Sequence, residues 1–316
     1  MVSGDFSNLA ASAPYANAGV GAFVFFGQPP AGSAPTITSG LAGLFNDARA
    51  SGQMLPWMST DEEGGYVARL SNVIGALPAP RWMAANWTPA HVQSLMTAHA
   101  QAMWNLGITM DLAPVLDTAL PSNTIADESD RSFSYDPQTA ATYGIAYANG
   151  LRAGGVVAVG KHFPGFGQAS ANTDLAPATD PSLSELQSRD LIPFEQAIAN
   201  GLPVIMVTHA SVPGLTGAVH ASLSPATYQY LRNTLHFKGV ALTDSLSALA
   251  ITDYYSQPVA AVKAVEAGAD MVMIQATVWP ATLTALQNAV GSGGLPAIQV
   301  DASVSRILAA KGLIVC

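Results

Sequence analysis

The chain has 316 residues, enough for one large α/β barrel or two ordinary domains. Only 10% of them are charged, where about 25% is usual, while 49% are hydrophobic, and 21 acidic against 12 basic residues give a net charge of −9. This balance, with no Lys/Arg-rich run, argues against nucleic acid as a partner, and no apolar stretch reaches the roughly 20 residues of a membrane span.

No basic-then-apolar signal segment opens the chain. Residues 1–4 nevertheless fit the tail of a strand trimmed from a longer precursor, so an exported or cell-envelope protein is favoured over a cytoplasmic one. Cys316 is the single cysteine, which rules out an internal disulfide and a cysteine-based metal cluster. Nothing in the sequence sets an oligomeric state.

Short apolar runs ending in polar residues recur at 20–26, 54–60, 108–112, 156–160, 203–208, 240–243 and 271–274. Each reads as a strand buried on both faces. A Pro/Gly/Ser-rich stretch at 28–38 reads as a surface loop. Thr88-Pro89 opens a helix running to Gly107. Ser182 with Glu185 spells a capping box, and Pro193 starts a short helix stopped by Gly201. Ser224-Pro225 opens another helix ending near Gly239, and Asp301 is placed as the cap of the last one. Seven strand–helix alternations without a break in composition predict a single (β/α)8 TIM-type barrel over 1–316. Its first strand is expected to be incomplete, because little apolar sequence precedes Tyr15. A doubly wound open sheet is the competing fold.

Nearly every run ends in chemistry-bearing residues. Asp61-Glu62-Glu63-Gly64-Gly65 follows the second, Asp111 and Asp117 bracket the end of the third, Lys161-His162 follows the fourth, His209 the fifth and Asp244 the sixth. In a barrel these gather at the C-terminal rim. Carboxylates, Arg, Lys and His around one cavity suit a carbohydrate, since each sugar hydroxyl both donates and accepts hydrogen bonds.

Six segments carry a resemblance. Lys161-His162-Phe163-Pro164-Gly165-Phe166-Gly167 resembles the K-H-F-P-G-x-G signature of glycoside hydrolase family 3. Asp61 to Leu70 resembles its D-x-E-G-G-x-V-x-R-L segment, and Asp111-Leu-Ala-Pro-Val-Leu-Asp117 its D/N-x-A-P-V-x-D segment. Asp130-Arg131-Ser132-Phe133 matches D-R-S-F, Met206-Val207-Thr208-His209 is similar to an M-x-x-H strand end, and Thr243-Asp244-Ser245-Leu246 matches S/T-D-x-L. The single-domain β-N-acetylglucosaminidase branch is the most similar. The resemblance implies a retaining hydrolase of terminal β-linked sugars, most of all β-N-acetylglucosaminides, that needs no metal or organic cofactor. It implies Asp244 as nucleophile, with Asp61, Arg69, Arg131, Lys161 and His162 binding the sugar; His209 is a further candidate sugar contact, with a structural role at the rim as the equal alternative.

One loop departs from the pattern. Where the branch carries an Asp-x-His pair with His as general acid/base, this chain has Asn172-Thr173-Asp174, and no His lies between His162 and His209. Phe166 also stands where His is common. Losing a general acid costs on the order of 10² to 10⁴ in rate. Three readings follow: Asp174 is itself the acid, the chain is a sugar-binding barrel that has lost turnover, or the acid comes from Glu62, Glu63, Asp127 or Glu128.

Plainer structural readings stand beside these. Asp244 could cap a helix, Lys161 and His162 could form a buried network, and Arg69 could pair with Glu62 or Glu63. Asp111 and Asp117 read as braces for Arg131 or loop backbone. His91, His99, His220 and His236 read as ordinary surface or interface residues. Gly155-x-x-x-x-Gly160-Lys161 imitates a phosphate-binding loop but lies in a strand and lacks the Ser/Thr.

Overall fold

The computed structural model describes residues 1–120 and 128–314. Eight parallel strands form one sheet in chain order: β1 (Val2–Asp5), β2 (Ala22–Phe26), β3 (Trp57–Thr60), β4 (Met110–Asp111), β5 (Val157–Phe163), β6 (Val204–Val207), β7 (Val240–Ser245) and β8 (Met271–Met273). The sheet curls into a nearly closed barrel, and its seam is spanned by one parallel bridge between Val2 and Ile274. The Ser3 amide donates to the Ile274 carbonyl at 3.0 Å, and the Ile274 amide donates to the Met1 carbonyl at 3.1 Å. The open-sheet alternative is thereby excluded. The eighth strand is β1, four residues of mixed burial whose short run carries no apolar signal of its own.

Alternation along each strand divides the core in two. Ala22, Val24, Trp57, Met110, Leu112, Val159, Val204, Met206, Val240, Leu242, Met271 and Met273 fill the barrel interior. Phe23, Phe25, Met58, Ala158, Ile205, Val207 and Ala241 point outward into the layer under the helices. That layer receives the apolar stripes of α1 (Ala34–Ala50), α2 (Pro89–Leu106), α3 (Pro137–Ala153), α4 (Leu191–Ala199) and α5 (Gln257–Ala267). The outer helices α6 (Trp279–Gly291) and α7 (Ala297–Ala310) complete the chain. No helix among the described residues is long and apolar enough to cross a membrane.

Local signals set several boundaries. The Thr88 hydroxyl accepts the His91 amide at 3.2 Å, with Pro89 in the first turn. Gly107 ends α2 in the left-handed region at φ 99°. The Ser182–Glu185 capping box forms in both directions. Other boundaries shift. α1 begins at Ala34, so part of the stretch read as a loop is helical, its proline lying in the first turn. α4 starts at Leu191, two residues ahead of Pro193. The helix opened by Pro225 passes at Tyr230 into a π turn that ends at Thr234. Pro296 precedes α7, which leaves Asp301 inside the helix and not at its cap.

Replacing the Thr88 cap removes one backbone partner from α2, whose buried face packs on α3. Thr88→Ala is expected to cost about 1 kcal/mol. Urea unfolding checks this as a lower midpoint with unchanged slope.

Candidate active site

The same alternation that fills the barrel builds the floor above it. Two residues on from inward Val24 comes Phe26; the series through Trp57 and Ser59 reaches Asp61, and Met110 leads to Leu112. Val159 leads to Lys161, Val204 to Met206, Val240 and Leu242 to Asp244, and Met271 to Met273. All seven end points line one cavity of about 410 Å³ at the C-terminal mouth. His162 from β5, Glu63 from the hairpin of the short strands Glu62–Gly64 and Val67–Ala68, Arg131 from the end of the short helix Glu128–Arg131, and Arg69, Asn172 and Asp174 from connecting segments add to its wall. Of the residues expected to touch a sugar, the structure brings together Asp61, Arg69, Arg131, Lys161 and His162, with Asp244 and Asp174 facing the same space.

His209 stands apart from this wall. It follows outward-facing Val207 by two residues, so its ring lies behind the sheet and is fully buried. Its Nε2 is 2.8 Å from the Ser245 carbonyl and its Nδ1 2.7 Å from the Ser222 hydroxyl. A carbonyl only accepts, so Nε2 carries the proton. Burial holds the pKa below the usual value, so the ring is neutral and Nδ1 accepts from Ser222. His209 therefore reaches the site through the Ser245 backbone next to Asp244.

Glu63 ties the wall together. Its carboxylate takes a two-pronged bond from Arg131, Nε to Oε2 at 2.7 Å and Nη2 to Oε1 at 2.9 Å. Lys161 Nζ also lies 2.5 Å from its Oε1 and donates to Asp61 Oδ1 at 2.8 Å. Burial alone would push Glu63 upward, but Lys161 and Arg131 overcome it and bring the pKa down to about 2. Burial likewise works against the Lys161 charge, and Asp61 and Glu63 hold its pKa above the usual lysine value. Arg69 pairs with neither glutamate. It lies 6.0 Å from the centre of the Phe26 ring with a buried Nε that has no partner, a donor available to a ligand.

The hairpin carrying Glu63 is braced from behind. Glu62 Oε2 accepts the Leu70 amide at 2.7 Å, Glu62 Oε1 is 3.2 Å from His99 Nε2, and the Tyr147 hydroxyl donates to the Glu62 carbonyl. Asp111, facing outward like His209, accepts the Glu62 amide at 3.0 Å. Burial and the Glu62 charge push the Asp111 pKa well above the usual range, which favours its protonated form. His99 is thus buried against the glutamate hairpin and is no surface residue, while His91 and His236 are exposed. His99 lies on the buried stripe of α2, three residues after Met96 and four before Met103, a periodic signal that could have placed it inward.

Asp117 braces His162 and not Arg131. Its Oδ1 accepts the amides of His162 at 3.0 Å and Phe166 at 2.8 Å, and its Oδ2 lies 2.7 Å from His162 Nδ1. Burial would lower the His162 pKa, yet Asp117 and Asp244 raise it above the usual value, favouring imidazolium. For Asp244, burial raises the pKa, but His162 and the Ser245 amide, 2.7 Å from Oδ1, bring it below the usual aspartate range.

Asp174 shifts the other way, raised by loss of hydration and by the Asp244 charge. Asn172 Oδ1 accepts the Asp174 amide at 2.9 Å. The carbonyls of Thr173 and Asp174 accept the amides of Ala250 at 3.1 Å and Leu249 at 3.3 Å. The Asp174 loop is thereby hung from the segment after β7. Among the other carboxyls, Glu62 is sealed against His99 and Glu63 is held ionised by two cations. Asp127 and the Glu128 side chain lie outside the described residues.

The family model for the glycosyl hydrolase family 3 N terminal domain matches residues 13–310. The chain belongs to glycosyl hydrolase family 3. It is 39% identical over 280 residues to a protein of Mycobacterium tuberculosis named beta-hexosaminidase LpqI, covering 85% of this chain and 72% of that protein. A solved family 3 glycosyl hydrolase from Mycobacterium smegmatis superposes with a TM-score of 0.88 at 36% identity, covering 98% of this chain and 93% of that one. A beta-N-acetylhexosaminidase from Beutenbergia cavernae gives 0.86 at 29% identity, covering 97% and 92%. As a family 3 member the chain is a glycosyl hydrolase, and a carbohydrate is its substrate.

Because its folded pKa is depressed, Glu63 contributes stability that is complete above the ordinary value of 4.5 and lost as pH falls through about 2. In Glu63→Gln that contribution is absent. In urea unfolding at stepped pH, the variant should lose stability less steeply than wild type below pH 4.5; equal slopes would refute the role given to this ion pair.

Proposed function

We propose that this family 3 hydrolase is a retaining enzyme that removes a terminal β-linked N-acetylhexosamine, with Asp244 as nucleophile and Asp174 as general acid/base. One observation carries the reading. Two carboxyls face one cavity with proton affinities displaced in opposite directions, Asp244 below the usual range and Asp174 above it. A nucleophile must be ionised and an acid must hold its proton, and different surroundings sort two like groups into those roles. The sugar is taken from the names of the relatives, beta-hexosaminidase and beta-N-acetylhexosaminidase.

The steps balance as follows. The Asp244 carboxylate bonds to the anomeric carbon while the bond to the leaving oxygen breaks and Asp174 gives that oxygen its proton. Water then attacks the glycosyl–Asp244 ester and passes a proton to Asp174, which frees the sugar and restores both groups. Arg69, Arg131, Lys161, Asp61 and His162 hold the hydroxyls of the sugar. Their charge-assisted hydrogen bonds favour the transition state where they tighten as charge develops on the ring. The ionic clamp on Glu63 fixes two of these cations before substrate arrives.

Incubation with a fluorinated aryl β-glycoside, followed by intact mass, should show a glycosyl adduct on wild type and none on Asp244→Ala. Asp174→Asn should lose on the order of 10² to 10⁴ in kcat on a natural disaccharide, and much less on an aryl glycoside whose phenol leaves without a proton. Because the Asp174 pKa is raised, wild-type kcat on the disaccharide should fall at a pH above the usual aspartate range, and this limb should vanish in Asp174→Asn. Sugar binding with no adduct and no phenol release would leave a carbohydrate-binding barrel in place of an enzyme.

A further inference from the structure

A second cavity, of about 690 Å³, lies on the other side of the Asp174 loop. It opens between the loops that follow β6 and β7 and runs down the flank of α5 as far as Ala267. None of its lining residues touches the first cavity, and nothing in the proposed chemistry uses it.

We propose that this groove binds the leaving-group side of an oligosaccharide substrate, so that the enzyme favours β-hexosaminides on a sugar chain over those on a small leaving group. The inference rests on the glycosidase reading above. Four observations carry it. First, Tyr254 leaves 61% of its surface exposed at the mouth, with its ring tilted against His220 at 5.5 Å between centroids. An aromatic face presented this way suits the apolar C–H face of a pyranose.

Second, polar groups of both kinds surround it. The Thr179 and Ser211 hydroxyls sit 3.1 Å apart. His220 Nδ1 donates to the His209 carbonyl at 3.0 Å, which in the neutral ring leaves Nε2 as an acceptor. Third, the charges present are one of each sign, Lys263 with Nζ 5.1 Å from the centre of the Tyr255 ring, and Glu266. Their opposite signs suit a neutral polyhydroxylated ligand better than an ionic one.

Fourth, a single short stretch of chain separates the groove from the reaction site. Asp174 lines the first cavity and Pro177 the second. Three residues span at most about 11 Å, so a chain leaving the sugar pocket past Asp174 meets the groove within a short reach. The hydrogen bonds from Ala250 and Leu249 to Thr173 and Asp174 tie the segment that leads to Tyr254 to the loop carrying the proposed proton donor.

The test compares a nitrophenyl β-N-acetylglucosaminide with chitooligosaccharides of increasing length, on wild type, Tyr254→Ala, Tyr254→Phe and Lys263→Ala. Tyr254 is exposed and bears no part of the reaction, so these variants should fold. In wild type, kcat/KM should rise with chain length. Tyr254→Ala should lose about tenfold on the longer members and stay within about twofold on the nitrophenyl glycoside. Tyr254→Phe keeps the ring and should keep the preference, while Lys263→Ala should weaken it. Turnover of the nitrophenyl glycoside without a gain from length, or an equal loss on every substrate, would overturn the groove alone. A wild type that turns over neither substrate would overturn the glycosidase reading, and this inference with it.

Discussion

Glu63 is a buried carboxylate holding two cations at once, and the shape of the cavity wall follows from that arrangement. Arg131 arrives from the end of the short helix Glu128–Arg131, far along the chain, and Lys161 from the later part of β5. Each would suffer a large penalty for losing water without a counter-charge. One carboxylate with two partners answers both penalties, and Asp61 completes the neutralisation on Lys161. The positions of the Arg131 and Lys161 head groups are therefore mutually determined, and neither can move without leaving the others exposed to an unbalanced field. The brace of Glu62, His99, Asp111 and Tyr147 keeps the backbone of Glu63 from yielding to that pull.

The same electrostatic economy separates the two carboxyls of the proposed reaction. Asp117 favours the charged form of His162, and the charge of His162 in turn lowers the pKa of Asp244 despite burial. Asp174 is raised by burial and then by the charge of Asp244, which His162 and Arg131 oppose without reversing. The different surroundings of the two carboxyls produce the asymmetry.

Much of this was legible in the sequence. The seven apolar runs became seven strands, because residues buried on both faces must be apolar in succession. The alternation inside them also placed Asp61, Lys161 and Asp244 on the inner face, in step with Trp57, Val159 and Leu242. The same count placed Asp111 and His209 on the outer face, so the expectation that His209 contacts sugar ran against a signal already present. The strand β1 was hidden for the opposite reason. Val2, Ser3, Gly4 and Asp5 have almost no apolar content, and their place in the sheet comes from backbone pairing with β2 and Ile274.

Composition, strand period and the order of motifs determined the barrel, the family and the residues at its rim, since each depends on side-chain type and short-range spacing. The tertiary structure alone decided which rim residues share one space and how their charges interact. Glu63 to Arg131, Lys161 to Asp61, and His162 to Asp117 are contacts between residues 68, 100 and 45 positions apart. The pKa of a group depends on what lies beside it and on how much water it has lost, and both are properties of the closed barrel and not of any one segment.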